Sequence, residues 1–295
     1  MPANGPIALF VSKARPVCSF SSRASFVSAA QFAGPALSCH APLSSKRNVD
    51  QPVKVGIQQE LQACSNTLEL LAVLHHRGKV KKWPGICQAT AWHRVAKFSR
   101  RCTEQPSVEA CIAILLDALR RSSWRSFRHR ELTNIVWSWG QLDVRDTALM
   151  TSFCEHISTR CTTFTARQTS TTLYALCLLQ CRHDACLDAL GNTVVQTSRA
   201  FNSQDVANAL YGLALHGSAA DEVLLSLCDR ACETLHSFNE QELSNTIYSM
   251  GLLQYHHAKL LTRAAHQATL RLSECTTQGI ANLTYGIGLL QFHDQ

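Results

Sequence analysis

One spacing governs this chain. The stretch QELSNTIYSMGLLQYHH, Gln241 to His257, has apolar residues at helical spacing yet carries Asn245, Tyr248 and Gly251 inside it. The same arrangement recurs without gaps in RELTNIVWSWGQLDVRD from Arg130, RQTSTTLYALCLLQCRHD from Arg167, QDVANALYGLALHGSAAD from Gln204 and QGIANLTYGIGLLQFHDQ from Gln278. Asn134, Thr171, Asn208, Asn245 and Asn282 form one column, each 37 residues after the last. Trp137, Tyr174, Tyr211, Tyr248 and Tyr285 form a second, and the small residues Gly140, Cys177, Ala214, Gly251 and Gly288 a third. A fixed period of this length marks a repeat architecture, in which a unit buries its apolar face only by stacking on its neighbours.

Each unit divides into two helices. In the unit from Phe201 to Ser237, Asn202 is placed to cap a helix and Asp205, three residues on, to return the bond. Phe201 and Val206 take the staple positions that fix how the chain enters the helix. The device repeats at Phe238, Asn239, Glu242 and Leu243, at Phe164, Thr165 and Gln168, and at Phe127, Glu131 and Leu132, while the last unit has Cys275 in place of Phe. Val206, Leu210, Leu213 and Ala214 then make one apolar face up to Gly217, and Val223, Leu224, Leu227, Ala231 and Leu235 make another on a helix over Asp221 to Leu235. The expected fold is all-α, an α-solenoid of 37-residue helix-turn-helix repeats forming a superhelix. Regular repeats are expected over 127–295, the last incomplete, after a basic segment at 51–126 holding two irregular helical repeats. In that segment SNTLELLAVLHHRG and ATAWHRVAKFSRR are helical, and GKVKKWPG between them is a loop marked by Gly78, Pro84 and Gly85.

The first fifty residues differ from the rest. They are rich in Ser and Ala, carry Lys13, Arg15, Arg23, Lys46 and Arg47, and show no acidic residue before Asp50. That is the composition of an organelle transit peptide, expected at 1–50 with a disordered leader as the alternative, and no compact apolar core follows the basic residues as a secretory signal would require. The most apolar run, Ile112 to Leu119, is short and contains Asp117, so a membrane role is not expected. Fourteen cysteines include no C-x-x-C pair. Neither Cys228, Cys232 and His236 nor Cys177, Cys181, His183 and Cys186 offers paired short-spaced ligands from two elements, so small buried hydrophobes are expected, with no metal and no cofactor.

QDVANALYGLALHG with its copies, the FN that precedes it, and ATAWHRVAK resemble octotricopeptide repeats, which are similar to the repeats of FAST-kinase-related and RAP-domain proteins. The resemblance covers about Leu61 to the C-terminus. It implies an organellar RNA-binding superhelix acting in chloroplast or mitochondrial RNA processing, stability or translation, in the stroma or the matrix. Thr171 departs from the Asn column, and Gln295 falls inside a repeat with no RAP-like domain after it. An uncapped last repeat would expose its stacking face, so the chain is expected to be a truncated gene product or a fragment.

Charge is unevenly spread. Arg77 to Arg130 holds thirteen Lys or Arg against Glu104, Glu109 and Asp117, whereas nine basic and fifteen acidic residues follow from Glu131. Phosphate contacts need positive surface, which makes Lys79, Lys81, Lys82, Arg94, Lys97, Arg100 and Arg101 the phosphate candidates. Asn134, Asn208, Asn245 and Asn282 could read bases, one per repeat. They equally suit an inter-repeat hydrogen-bond ladder, and this structural job is favoured because an identical residue in every repeat cannot encode a varied sequence. Ile135, Thr172, Ala209, Thr246 and Leu283 beside them are then the positions expected to vary with the target, and the aromatic column is expected in the core. No phosphate loop, nucleophile elbow, H-E-x-x-H or kinase signature is present, so catalysis is not expected. The partner that the resemblance implies is single-stranded organellar RNA, with an RNA-independent protein scaffold of an organellar ribonucleoprotein complex as the alternative.

Overall fold

The structure, a computed structural model, describes residues 51–100, 105–217 and 219–291, with side chains from residue 56. The expected leader at 1–50 and Arg101 lie outside the described residues. Among the described residues there is no strand, and thirteen α-helices follow one another: α1 (Gln51–Ala63), α2 (Thr67–Arg77), α3 (Gly85–Ser99), α4 (Gln105–Arg120), α5 (His129–Leu142), α6 (Thr147–Ser158), α7 (Ala166–Leu178), α8 (Asp184–Thr197), α9 (Ser203–His216), α10 (Asp221–Thr234), α11 (Glu240–Leu253), α12 (Ala258–Leu270) and α13 (Thr277–Leu290). From α5 onward the odd-numbered helices begin at 129, 166, 203, 240 and 277, whereas the step from α3 to α5 is 85 to 129. None is long and apolar enough to cross a membrane.

The boundaries have local causes. Thr165, Asn202 and Asn239 each accept the N–H three residues on, while Gln168, Asp205 and Glu242 accept the cap's own N–H in return. A cap of this kind is worth about 1 kcal/mol. At α5 only the return bond forms, from Arg128 N–H to Glu131 at 2.8 Å, because arginine offers no capping oxygen. Phe127, Phe164, Phe201 and Phe238 are all buried, each at the end of a single tight 3₁₀ turn such as Leu235–Ser237. That turn ends α10 one residue earlier than the sequence pattern suggests.

Helix exits show a further periodic feature. Asp143, Gln180, Gly217, Gln254 and Gln291 all have positive φ, between 49° and 84°, and terminate α5, α7, α9, α11 and α13. Only Gly217 announces this left-handed turn by its residue type. The others adopt a conformation that costs a side chain about 1–2 kcal/mol, and Gln254 recovers part of it by donating to the carbonyls of Gly251 and Leu289 at 2.8 and 3.1 Å.

Neighbours pack on neighbours in two rows. Odd-numbered helices contact in succession from α1 to α13, and among the even-numbered ones α2 meets α4, α6 meets α8, α8 meets α10 and α10 meets α12. Small residues set the odd row's close approach. A Cβ on Gly251 would lie 2.6 Å from the Gly286 carbonyl oxygen, one on Gly286 2.7 Å from that of Ile247, and one on Gly212 2.8 Å from the Tyr174 Cα. These contacts disclose a small-residue column the sequence reading missed, Ser138, Ala175, Gly212, Ser249 and Gly286, at the same period. The column of Gly140 and Gly251 packs into this second column on the following odd helix. Ser138 and Ser249 keep their hydroxyls occupied by donating to the carbonyls of Asn134 and Asn245 at 2.6 Å.

Three arginines close the units. Arg160, Arg230 and Arg271 donate to the carbonyls of Phe127, Phe201 and Phe238 at 3.4, 2.7 and 2.6 Å. Each ties the even-numbered half of a unit to the start of its odd helix, so these cations serve the fold.

Candidate nucleic-acid interface

Residues four before and three after a given helical position lie on its face. On the odd helices this face comprises the Asn column, the aromatic column three residues later, and a third column four residues earlier: Arg130, Arg167, Gln204, Gln241 and Gln278. Asn134, Asn208, Asn245 and Asn282 are half-buried, Arg130, Arg167 and Gln278 exposed. The third column was legible by the same period, and the sequence reading passed over it because its residues change from Arg to Gln along the chain. Five helices thus present one continuous strip of amides, guanidinium groups and aromatic rims.

The aromatic column is not core. Trp137, Tyr174, Tyr211 and Tyr248 are half-buried, and Tyr285 is 48% exposed. The rings form a ladder: Tyr174 to Tyr211 spans 6.1 Å between centroids, Tyr211 to Tyr248 6.3 Å and Tyr248 to Tyr285 6.0 Å, with interplanar angles of 29° to 41°. His93 on α3 stands 5.1 Å from Trp137 in the same relation. Close helix approach at the small residues brings the rings together. Because Tyr211 and Tyr248 have neighbours on both sides, what they turn to solvent is rim rather than face. The amides and guanidinium groups beside them add hydrogen-bonding capacity to that of the phenol hydroxyls.

The asparagines form part of the expected ladder. Asn282 Nδ2 donates to Asn245 Oδ1 at 3.3 Å, and Gln278 donates to Asn282 at 2.9 Å. Ile135, Thr172, Ala209, Thr246 and Leu283, expected beside them as the variable readers, are all buried. One residue along a helix is a rotation of about 100°, which turns these side chains from the strip into the interior. Burial takes them off this face, where Arg130, Arg167, Gln204, Gln241 and Gln278 are the residues that change from helix to helix.

The basic candidates separate into three groups. Lys97 and Arg100 lie at the C-terminal end of α3, where the Arg100 guanidinium sits 5.7 Å from the Trp137 ring and donates to Gln141. Lys79, Lys81 and Lys82 lie before the N-terminal end of the same helix, roughly 20 Å away at 1.5 Å per residue. Lys81 and Lys82 line a cleft of about 500 Å³ with Arg121, Arg128 and Glu131. Arg94 is committed to the fold: it donates to the carbonyls of Leu61, at 2.8 Å, and Gln62, satisfying the exposed end of α1. Its phosphate role in the sequence reading is corrected accordingly, a commitment only tertiary structure reveals.

The cations converge on His93. Burial, then Lys97, Arg94, Arg100 and Arg130, push its pKa down from 6.5 to about 4. Folded His93 thus stays neutral where an unfolded histidine takes up a proton, so its contribution is complete above about pH 6.5 and falls as pH drops toward 4. Across that window the chain is expected to lose up to about 3 kcal/mol of stability through this group. Urea unfolding at pH 7 and pH 4.5 checks it, with His93→Asn showing a smaller loss than the parent. Among the described residues no group of His, Cys, Asp and Glu is placed to hold a metal ion. No family model matches the chain, and no curated protein matches it.

Proposed function

We propose that the chain is an organellar RNA-binding protein whose 37-residue repeats build an α-solenoid, with single-stranded RNA lying along the odd-helix strip. The observation that carries this reading is the continuous amide and aromatic surface of α5, α7, α9, α11 and α13, edged at its α3 end by Lys97, Arg100 and Arg130. Recurring polar groups, one set per helix, suit unpaired bases, which offer hydrogen-bonding edges that a duplex hides. Cations at one end suit the phosphates. The likeness to octotricopeptide repeats and the Ser- and Arg-bearing leader support a chloroplast or mitochondrial role in RNA processing, stability or translation.

A second reading, an RNA-independent protein scaffold, is favoured by the excess of acidic residues from Glu131 onward and by exposed Leu225 and Leu270. Titration of single-stranded RNA separates the two. The RNA reading expects binding at low salt whose log affinity falls linearly with log salt, with a slope of about −0.7 per phosphate neutralised. Absence of binding at low salt would leave the scaffold.

A further inference from the structure

Three thiols from separate elements meet at one corner. Cys154 on α6 has its sulfur 3.6 Å from that of Cys181, which follows the left-handed Gln180 at the end of α7. Cys186, in the first turn of α8, is the third thiol there, close enough to Cys154 to help raise its pKa. Cys154 and Cys186 are fully buried, and Cys181 is half-buried. His183, between them in sequence, is occupied as the cap of α8, accepting the Cys186 N–H at 3.3 Å. Cys228 and Cys232 give the contrast: both lie on α10, both are buried, and burial pushes both thiols up.

We propose that Cys181 and Cys154 form a thiol–disulfide exchange site for small disulfides, with Cys181 the attacking thiol and Cys154 the resolving one. Access fixes the order, since Cys181 alone of the three reaches solvent. The Cys154 sulfur stands within hydrogen-bonding reach of the Cys181 sulfur, and this contact is the main cause that favours the Cys181 thiolate and holds its pKa below the usual thiol value. The Cys181 thiolate attacks one sulfur of the small disulfide, whose S–S bond breaks, and the first small thiol leaves carrying the Cys181 proton. Cys154 then gives up its proton, attacks the Cys181 sulfur, and displaces the second small thiol, which takes that proton. Two protein thiols are oxidised and one small disulfide is reduced to two thiols. The product ties α6 to the turn between α7 and α8.

The test uses the full chain and oxidised glutathione, with alkylation by iodoacetamide and peptide mapping. A cross-linked peptide joining Cys154 to Cys181 is expected, together with a glutathione adduct on Cys181 in Cys154→Ser that does not resolve. Oxidation confined to other cysteines, or a bridge from Cys154 to Cys186 with Cys181 unmodified, would overturn the assignment. Alkylation rates of the unmutated chain give a readout independent of how the variant folds. Cys181 should react at least tenfold faster than Cys275, the other half-buried described cysteine, whose thiol burial pushes up. Equal rates, or a faster Cys275, would contradict the proposal.

Discussion

Replacing Gly251 by valine is expected to cost about 3 kcal/mol of stability, the upper part of the range for overfilling a packed site. The cause is contact between two backbones. A Cβ at 251 would meet the Gly286 carbonyl oxygen at 2.6 Å and the Gly286 Cα at 2.8 Å, so no side chain can swing aside and α11 must separate from α13. Even Gly251→Ala should destabilise, although alanine is intrinsically the better helix former by about 1 kcal/mol. Gly288 supplies the control, because it occupies the same column one period later and a Cβ there meets nothing within 4 Å. Gly288→Ala is expected to be neutral or to stabilise by up to about 1 kcal/mol. Urea unfolding of the three variants measures the contrast, and hydrogen exchange should place the Gly251→Val defect at α11 and α13 while α5 and α7 stay protected.

Removing the cations at the α3 end of the strip, as Lys97→Ala, Arg100→Ala and Arg130→Ala together, is expected to weaken single-stranded RNA binding about 100-fold at 0.1 M salt. Each phosphate contact contributes about 0.7 to the log–log salt slope, so three losses reduce its magnitude by about 2. Burial is the main cause that keeps His93 neutral, and Lys97, Arg100 and Arg130 push in the same direction. Lys81→Ala with Lys82→Ala, in the cleft at the far end of α3, is the companion measurement and should change the slope less. A larger effect there than at Lys97, Arg100 and Arg130 would move the phosphate path to the cleft.

The helices and their starts were legible because capping side chains, staple phenylalanines and small residues all repeat by type. The left-handed exits were not, since Asp143, Gln180, Gln254 and Gln291 share a backbone conformation with Gly217 but no chemistry. Facing was the weaker part of the sequence reading. Tyr211 and Tyr248 look like core residues by hydrophobicity, yet the close approach at Gly212 and Gly251 stacks them with their neighbours at the surface. Ile135 and Thr246 erred in the opposite direction, one residue from the strip and wholly inside. Among the arginines, sequence cannot distinguish Arg94, Arg160, Arg230 and Arg271, bound to backbone carbonyls, from Arg130 and Arg167, which stand exposed on the strip. Charge counts alone therefore misjudge how much of the positive charge stands free on the strip.

The central claim is that one face, and not the molecule at large, meets RNA. Ultraviolet crosslinking of single-stranded RNA to the full chain, followed by mass spectrometry of the adducts, reads that face directly. The account predicts adducts on the peptides that carry Trp137, Tyr174, Tyr211 and Tyr248, from α5, α7, α9 and α11. Adducts confined to α6, α8, α10 and α12, or to the turn at Lys79–Lys82, would contradict it.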